Sequence, residues 1–248
     1  MNQHFSPAAV QREASDSLSS VHTTLFARLD AALAAQWDEA RNGRFWRHVT
    51  EQGCSPELYR LTMQQIFHYT QHNSINQAVC ALRAAPEQLA LLRYVYEHAR
   101  EELGHERLAL HDLKSAGLLR DDEPISAPLP ATDALINYLY GVALREGPVA
   151  RLGYSYWAES VYGQIAPLLA SLRASLALND RDLTFFSAHS AIDQRHSQQV
   201  RDALHRFVFT SQEADAVLRV AQTSLWLTLQ LLEQAFDATH ATASRGLT

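Results

Sequence analysis

Apolar residues recur along the chain at intervals of three and four, and no stretch alternates convincingly between apolar and polar positions. That period lays a stripe along one face of an α-helix, whereas a strand alternates every second residue. Glycines and prolines are few and fall mostly between the periodic blocks, as helix punctuation does. A first helix is predicted from about Asp16 to Arg41, ending near Gly43. Ser55-Pro56-Glu57 reads as a cap followed by proline at the first helical position. It opens a helix through Tyr59, Ile66, Tyr69 and Ile75 toward Leu82. Pro86 restarts the chain, and a long helix carrying Leu89, Leu92, Val95, Leu103 and Leu110 is expected to stop at Gly117 in a left-handed cap. Leu118 to Pro130 is the one clear linker, acidic and proline-containing. Blocks Thr132 to Arg145 and Val149 to Leu176 follow, with Pro167 expected to kink or split the second. Further helices are predicted from Asn179 or Asp180 to about Phe207, and from Ser211 to about Phe236. About seven helices with short loops and no solenoid repeat predict a single all-α bundle over residues 1–248, with 1–15 and 240–248 loosely ordered.

Composition narrows the classes. At 248 residues and 47% apolar content the chain can bury a substantial core, and it is too apolar for a disordered one. A net charge of −6 argues against nucleic acid, which needs a basic stripe to displace counterions, and against an anionic membrane surface. The two cysteines, Cys54 and Cys80, form no CxxC, so neither a thiolate zinc site nor a disulfide framework is expected. The polar opening has no signal-like apolar core, and no apolar run approaches the roughly 18 residues that span a bilayer. The expectation is a cytoplasmic protein with no membrane or nucleic-acid partner; a homodimer is left open.

Three stretches carry candidate chemistry. In Glu101-Glu102-Leu103-Gly104-His105, the pair Glu102-x-x-His105 would lie on one face of a continuous helix, so a carboxylate and an imidazole reach one ion. With twelve histidines such a match is expected roughly once by chance, and taken alone it reads first as a solvated charged face. His189, Asp193 and His196 fall within a sector of roughly 60° at helical pitch, with Ala191 and Ile192 suggesting burial. Three ligand-type side chains on one buried stripe would otherwise each need a separate partner. Zinc, iron, manganese or copper would suit them. Glu159 is a single acid in an aromatic and apolar block, so it must be paired, protonated or metal-bound; Arg151 and Arg173 are candidate partners. Together the stretches offer three carboxylates against the four positive charges of two M²⁺ ions, a mixed oxygen and nitrogen shell that suits iron activating O2.

In order and spacing, from about Pro86 to Phe207, these motifs resemble the heme-oxygenase-like di-iron oxidases, which include alkene-forming fatty acid decarboxylases. The resemblance implies a heme-oxygenase-like bundle holding two Fe(II) ions, with O2 as co-substrate and a peroxo-diferric intermediate. It implies Glu102 and Glu159 shared between the metals, His105 and His189 on one iron, and Asp193 and His196 on the other, with Glu102, Glu159 and Asp193 also counted as catalytic. The implied reaction is oxidative decarboxylation, C–C cleavage or N-oxygenation of a small acid, amino acid or amine, with an external electron donor where the stoichiometry requires one. His68, Tyr69, His72 and Asn73 stand where alkene-forming relatives are more apolar, which favours a more polar substrate; His72, Arg145, Tyr154 and Tyr156 are candidate substrate contacts. Two alternatives stay open: the same fold without a di-iron site, as in a heme oxygenase with His22 as ligand, a thiaminase II-like hydrolase or a quinone-cofactor-synthase relative, or a non-catalytic helical partner.

Overall fold

The computed structural model describes residues 7–245, and side chains at 19–187 and 195–241. Ten α-helices and two short 3-10 turns form the described chain, with no strand among the described residues. The helices are α1 (Pro7–Asn42), α2 (Arg44–Gln52), α3 (Pro56–Val79), α4 (Leu89–Glu101), α5 (Glu106–Ser115), α6 (Pro130–Arg145), α7 (Pro148–Ala158), α8 (Tyr162–Leu176), α9 (Thr184–Phe207) and α10 (Ser211–Arg245).

Local chemistry explains most boundaries. Ser55 accepts a hydrogen bond from the Leu58 amide at 3.1 Å, and Pro56 opens α3. Gly117 takes the expected left-handed conformation after α5, with φ +71°. Gly147, at φ +87°, leads into Pro148 and α7. Asn179 and Asp182 form a capping box ahead of α9. The start of α9 is also capped from a distance: Asp112 of α5, fully buried, accepts the amides of Thr184 and Phe185 at 2.8 Å each.

The count exceeds seven because α2 lies where no helix was predicted and two predicted long helices are broken in unforeseen places. The helix expected from Pro86 to Gly117 stops at Glu101 and resumes at Glu106, with Gly104 at φ +95° in between. The block from Val149 to Leu176 breaks after Ala158, while Pro167 lies inside α8. The outer helices run further than expected, α1 from Pro7 and α10 to Arg245.

Buried residues from Leu25 to Ala235 form one apolar cluster. The long α10 packs on α7, α1 and α6, and α3 packs on α4, α5, α6 and α10. The linker after α5 is tied to α3: His68 bonds the Ser126 carbonyl at 2.6 Å, and Gln65 accepts the Leu129 amide at 2.7 Å. No described helix is long and apolar enough to cross a membrane.

Candidate metal centre

Glu102 and Glu159 occupy equivalent positions in the two unforeseen breaks. Each is the residue that ends its helix, α4 or α7. There the negative end of the helix dipole disfavours an anion. Both side chains are nevertheless buried, with relative exposures of 4% and 6%. A buried carboxylate needs a compensating cation or several hydrogen bonds. Imidazoles supply the contacts here. Glu159 Oε2 lies 3.2 Å from His196 Nδ1, and its Oε1 lies 3.3 Å from His98 Nε2. Glu102 presents Oε1 to His196 Nδ1 at 3.8 Å and Oε2 to His105 Nδ1 at 3.4 Å.

One ligand atom from each of His98, Glu102, Glu159 and His196 falls in a group spanning no more than 4.8 Å, and all four residues are buried. Glu101 extends the group, with Oε2 at 3.0 Å from His196 Nε2. Three helices therefore converge: α4 brings His98, Glu101 and Glu102, α7 ends in Glu159, and α9 brings His196. The pair Glu102 and His105 does meet, but across the turn around Gly104 rather than along one helix face. His189 and Asp193 lie on α9, where their side chains fall outside the described residues. His98 and Glu101 are absent from the sequence-based ligand set. His98 stands one helical turn before Glu102, a spacing that already places the two on one face.

Behind the carboxylates lies a buried guanidinium. Arg151, 1% exposed, donates to Asn76 Oδ1 at 2.7 Å, Asn73 Oδ1 at 2.6 Å and Ser155 Oγ at 3.0 Å, and sits 4.4 Å from the Tyr154 ring. Asn73 passes the interaction on, donating to Glu102 Oε2 at 2.9 Å. Arg151 thus orients Glu102 through Asn73 rather than pairing with Glu159, and Arg173 pairs with Asp180 at the surface.

Burial pushes the Glu159 carboxyl upward, but the hydrogen bond to His196 and the charge of His98 and His196 outweigh it and hold the group well below the usual carboxylate range. Glu102 is likewise held low, its burial offset first by His105. The converse holds for the imidazoles: Glu102 raises His105, and Glu159 raises His196 against the effect of burial. Their raised proton affinity suits these rings to act as the counter-cation when they carry a proton. The donor set of carboxylate oxygens and imidazole nitrogens suits iron, zinc or manganese, so the residues fit a metal.

Metal must displace those protons, and two pH dependences of opposite sign follow. The raised histidines stabilise the metal-free fold fully below the ordinary value of 6.5, and this contribution is lost as pH rises through their higher folded values. The lowered Glu159 contributes fully above 4.5 and loses its contribution as pH falls through its lower folded value. Metal-free protein is therefore expected to be most heat-resistant between those limits. The extra thermal stability conferred by metal should instead grow as pH rises from about 6 to about 8. Melting with and without cobalt(II) across that range measures both; a metal increment independent of pH would contradict the protonated-imidazole reading.

A cavity of about 150 Å³ borders the cluster, with Glu102 and Glu159 in its wall. Trp37, Phe45, Trp46, Met63, Ile66 and Leu172 typify the rest. Those two glutamates are the only charged residues among the described lining residues. Tyr69, Asn73 and Tyr154 line the cavity, whereas His68 faces the linker and His72 bonds Tyr140 Oη at 3.1 Å. Tyr156 donates to Asp30 on another side of α7, and Arg145 is exposed and bonds the Gly141 carbonyl. Of the four candidate substrate contacts only Tyr154 reaches this space.

Residues 60–229 match the family model described as iron-containing redox enzyme, a heme-oxygenase-like family. The chain belongs to this family. The matched span contains the whole carboxylate and imidazole cluster. A heme-oxygenase-like domain of unknown function from Shewanella denitrificans OS217 is 38% identical, covering 88% of this chain and 95% of its own, with a TM-score of 0.83. A TenA homolog from Pseudomonas syringae pv. tomato DC3000 (12% identity, TM-score 0.69, covering 87% of this chain and 92% of its own) shares the fold. So does a CADD-like protein of unknown function from Nostoc punctiforme (17%, TM-score 0.62, covering 90% and 98%). No curated protein matches the sequence. The structural likenesses and the family model together establish the heme-oxygenase-like bundle.

Proposed function

We propose that this member of the family is an O2-dependent non-heme di-iron oxidase or oxygenase acting on a small, largely apolar acid or amine. The observation that carries the reading is the buried carboxylate and imidazole cluster opening onto an apolar cavity. Glu102 supports a two-ion arrangement, because its two oxygens face different imidazoles, His196 and His105. Those three residues with Glu159 would hold the ions, joined by His189 and Asp193 as the family pattern implies. Ferrous ions bound there would supply electrons for the reduction of O2.

The remaining work falls to the chain itself. Asn73 holds one Glu102 oxygen, and Arg151 holds Asn73, so this carboxylate is oriented before any ligand arrives. Aromatic and aliphatic walls exclude water from the reacting region and bind an apolar substrate body. Since the described lining residues include no basic side chain, an acidic head group would be held by the metal, and an amine by Glu102 or Glu159. Of His68, Tyr69, His72 and Asn73, which suggested a more polar substrate, only Tyr69 and Asn73 line the cavity, and Asn73 is engaged by Arg151 and Glu102.

Anaerobic ferrous titration followed by O2 tests the proposal. About two ions per chain should bind, and O2 consumption should accelerate with medium-chain acids or amines. No ferrous uptake would overturn it.

The thiaminase-like alternative has one observation in its favour: Cys54 lines the cavity in a fold shared with a TenA homolog. Burial, however, pushes the Cys54 thiol up to about 12, and a nucleophilic cysteine needs its thiolate. Cys54→Ala is expected to leave turnover within about twofold; complete loss in a folded, metal-loaded variant would favour the hydrolase. The heme reading is weaker still, since His22 bonds the Val208 carbonyl at 2.7 Å and packs on His205.

A further inference from the structure

We propose that His98 is itself a metal ligand, sharing an ion with Glu159, Glu102 and His196, so that the centre uses one imidazole more than its sequence motifs supply. The inference rests on the metal-binding reading above and extends its ligand set to a residue outside all three motifs.

His98 is 3% exposed, and neither of its ring nitrogens has a hydrogen-bond partner among the described residues. A structural histidine in a core is held by at least one hydrogen bond, because an unsatisfied buried polar group costs about 1–3 kcal/mol. His98 has close neighbours instead. Its Nε2 lies 3.3 Å from Glu159 Oε1, and its ring centroid lies 5.5 Å from that of His196. Ligands about 2.0–2.2 Å from a common ion, at tetrahedral to octahedral angles, are separated by about 2.8–3.6 Å. The His98–Glu159 and His196–Glu159 separations, 3.3 and 3.2 Å, fall in that interval. A hydrogen bond from His98 to Glu159 would be closer and better aligned. Helix geometry fixes the placement: His98 and Glu102 are one turn apart, and α4 ends just beyond them, so both side chains project from one face toward Glu159.

Cobalt(II), whose visible spectrum reports ligand number and type, is the probe for wild type and His98→Gly. The variant should bind at least about tenfold more weakly with an altered spectrum, and free imidazole should restore both by entering the vacated space. Unchanged affinity and spectrum in the variant would overturn the assignment while leaving the metal centre intact. Wild-type protein that binds no cobalt(II) or ferrous ion would overturn the metal reading as a whole. Should His98→Gly fail to fold, zinc-loaded wild type decides the matter. A ring nitrogen of His98, assigned by the loss of its cross-peak in His98→Gln, should move to the metal-bound range in long-range 15N–1H spectra. Retention of its metal-free shifts would overturn the proposal.

Discussion

Glu159→Gln is expected to weaken cobalt(II) or ferrous binding at least roughly 100-fold and to abolish turnover, with little change in the metal-free fold. The substitution keeps the side chain's shape and removes its charge. Glu159 contacts both His98 and His196, and each of its oxygens faces a different ring. An amide cannot offset the charge of a divalent ion or offer two anionic oxygens. In the metal-free protein the change removes the stabilising contacts of Glu159 with His196 and His98, a loss partly offset by relief of a buried anion at the negative end of α7. His196, no longer raised by Glu159, should titrate lower, so heat resistance should decline less steeply above pH 6.5. Equilibrium dialysis gives the affinity and melting curves give the pH dependence. Wild-type metal content in the variant would remove Glu159 from the ligand set.

Gly153→Ala should produce a larger loss of stability than alanine at any other described glycine held against backbone. A Cβ on Gly153 would lie 2.1 Å from the Val217 carbonyl oxygen and 2.8 Å from the Ala221 amide nitrogen. These are backbone atoms of α10, so no side-chain rotation relieves the clash and α7 must move away. Overpacking of this kind costs about 3 kcal/mol or more. In a domain of this size that corresponds to a melting point lower by roughly 6–12 °C. Displacement of α7 also carries Glu159 away from its partners and strains the bond from Trp157 Nε1 to Ser224 Oγ, 2.9 Å in the native packing. Metal affinity should therefore fall together with stability. Gly163→Ala is the control: nothing lies within 4 Å of its added Cβ, and helix propensity favours alanine there. A Gly153→Ala protein melting with wild type would show that the α7–α10 approach is looser than the structure has it.

Residue spacing singled out Glu102, Glu159 and His196 of the candidate cluster, though not always for the reason the structure gives. Glu159 stood out as an acid in an apolar block and Glu102 as half of a Glu-x-x-His pair, and both are buried in the cluster. Glu102 and His105 were read as neighbours along a helix; they meet because the chain breaks between them. Gly104 was the available sign of that break, since φ +95° is a conformation glycine adopts without the strain a Cβ would bring. His98 was overlooked because a histidine and a glutamate four apart are common on solvated helix faces, and only burial distinguishes this pair. Tyr154 and Tyr156 were indistinguishable by type, yet one lines the cavity and the other bonds Asp30. Two positions along a helix turn the side chain by about 200°, and sequence does not state which direction is inward.

The sequence by itself determined the all-helical class, most helix starts and stops, and the presence of buried acids among histidines. Those properties depend on the period of apolar residues, on caps and on turn residues, all of which act within a few positions of the chain. Only the tertiary structure decided that α4, α7 and α9 end or pass at one point, that His98 belongs there, and that the adjoining space is apolar. Each of these depends on contacts between residues tens of positions apart, fixed by packing such as the approach of Gly153 to α10, and helical periodicity carries no record of them.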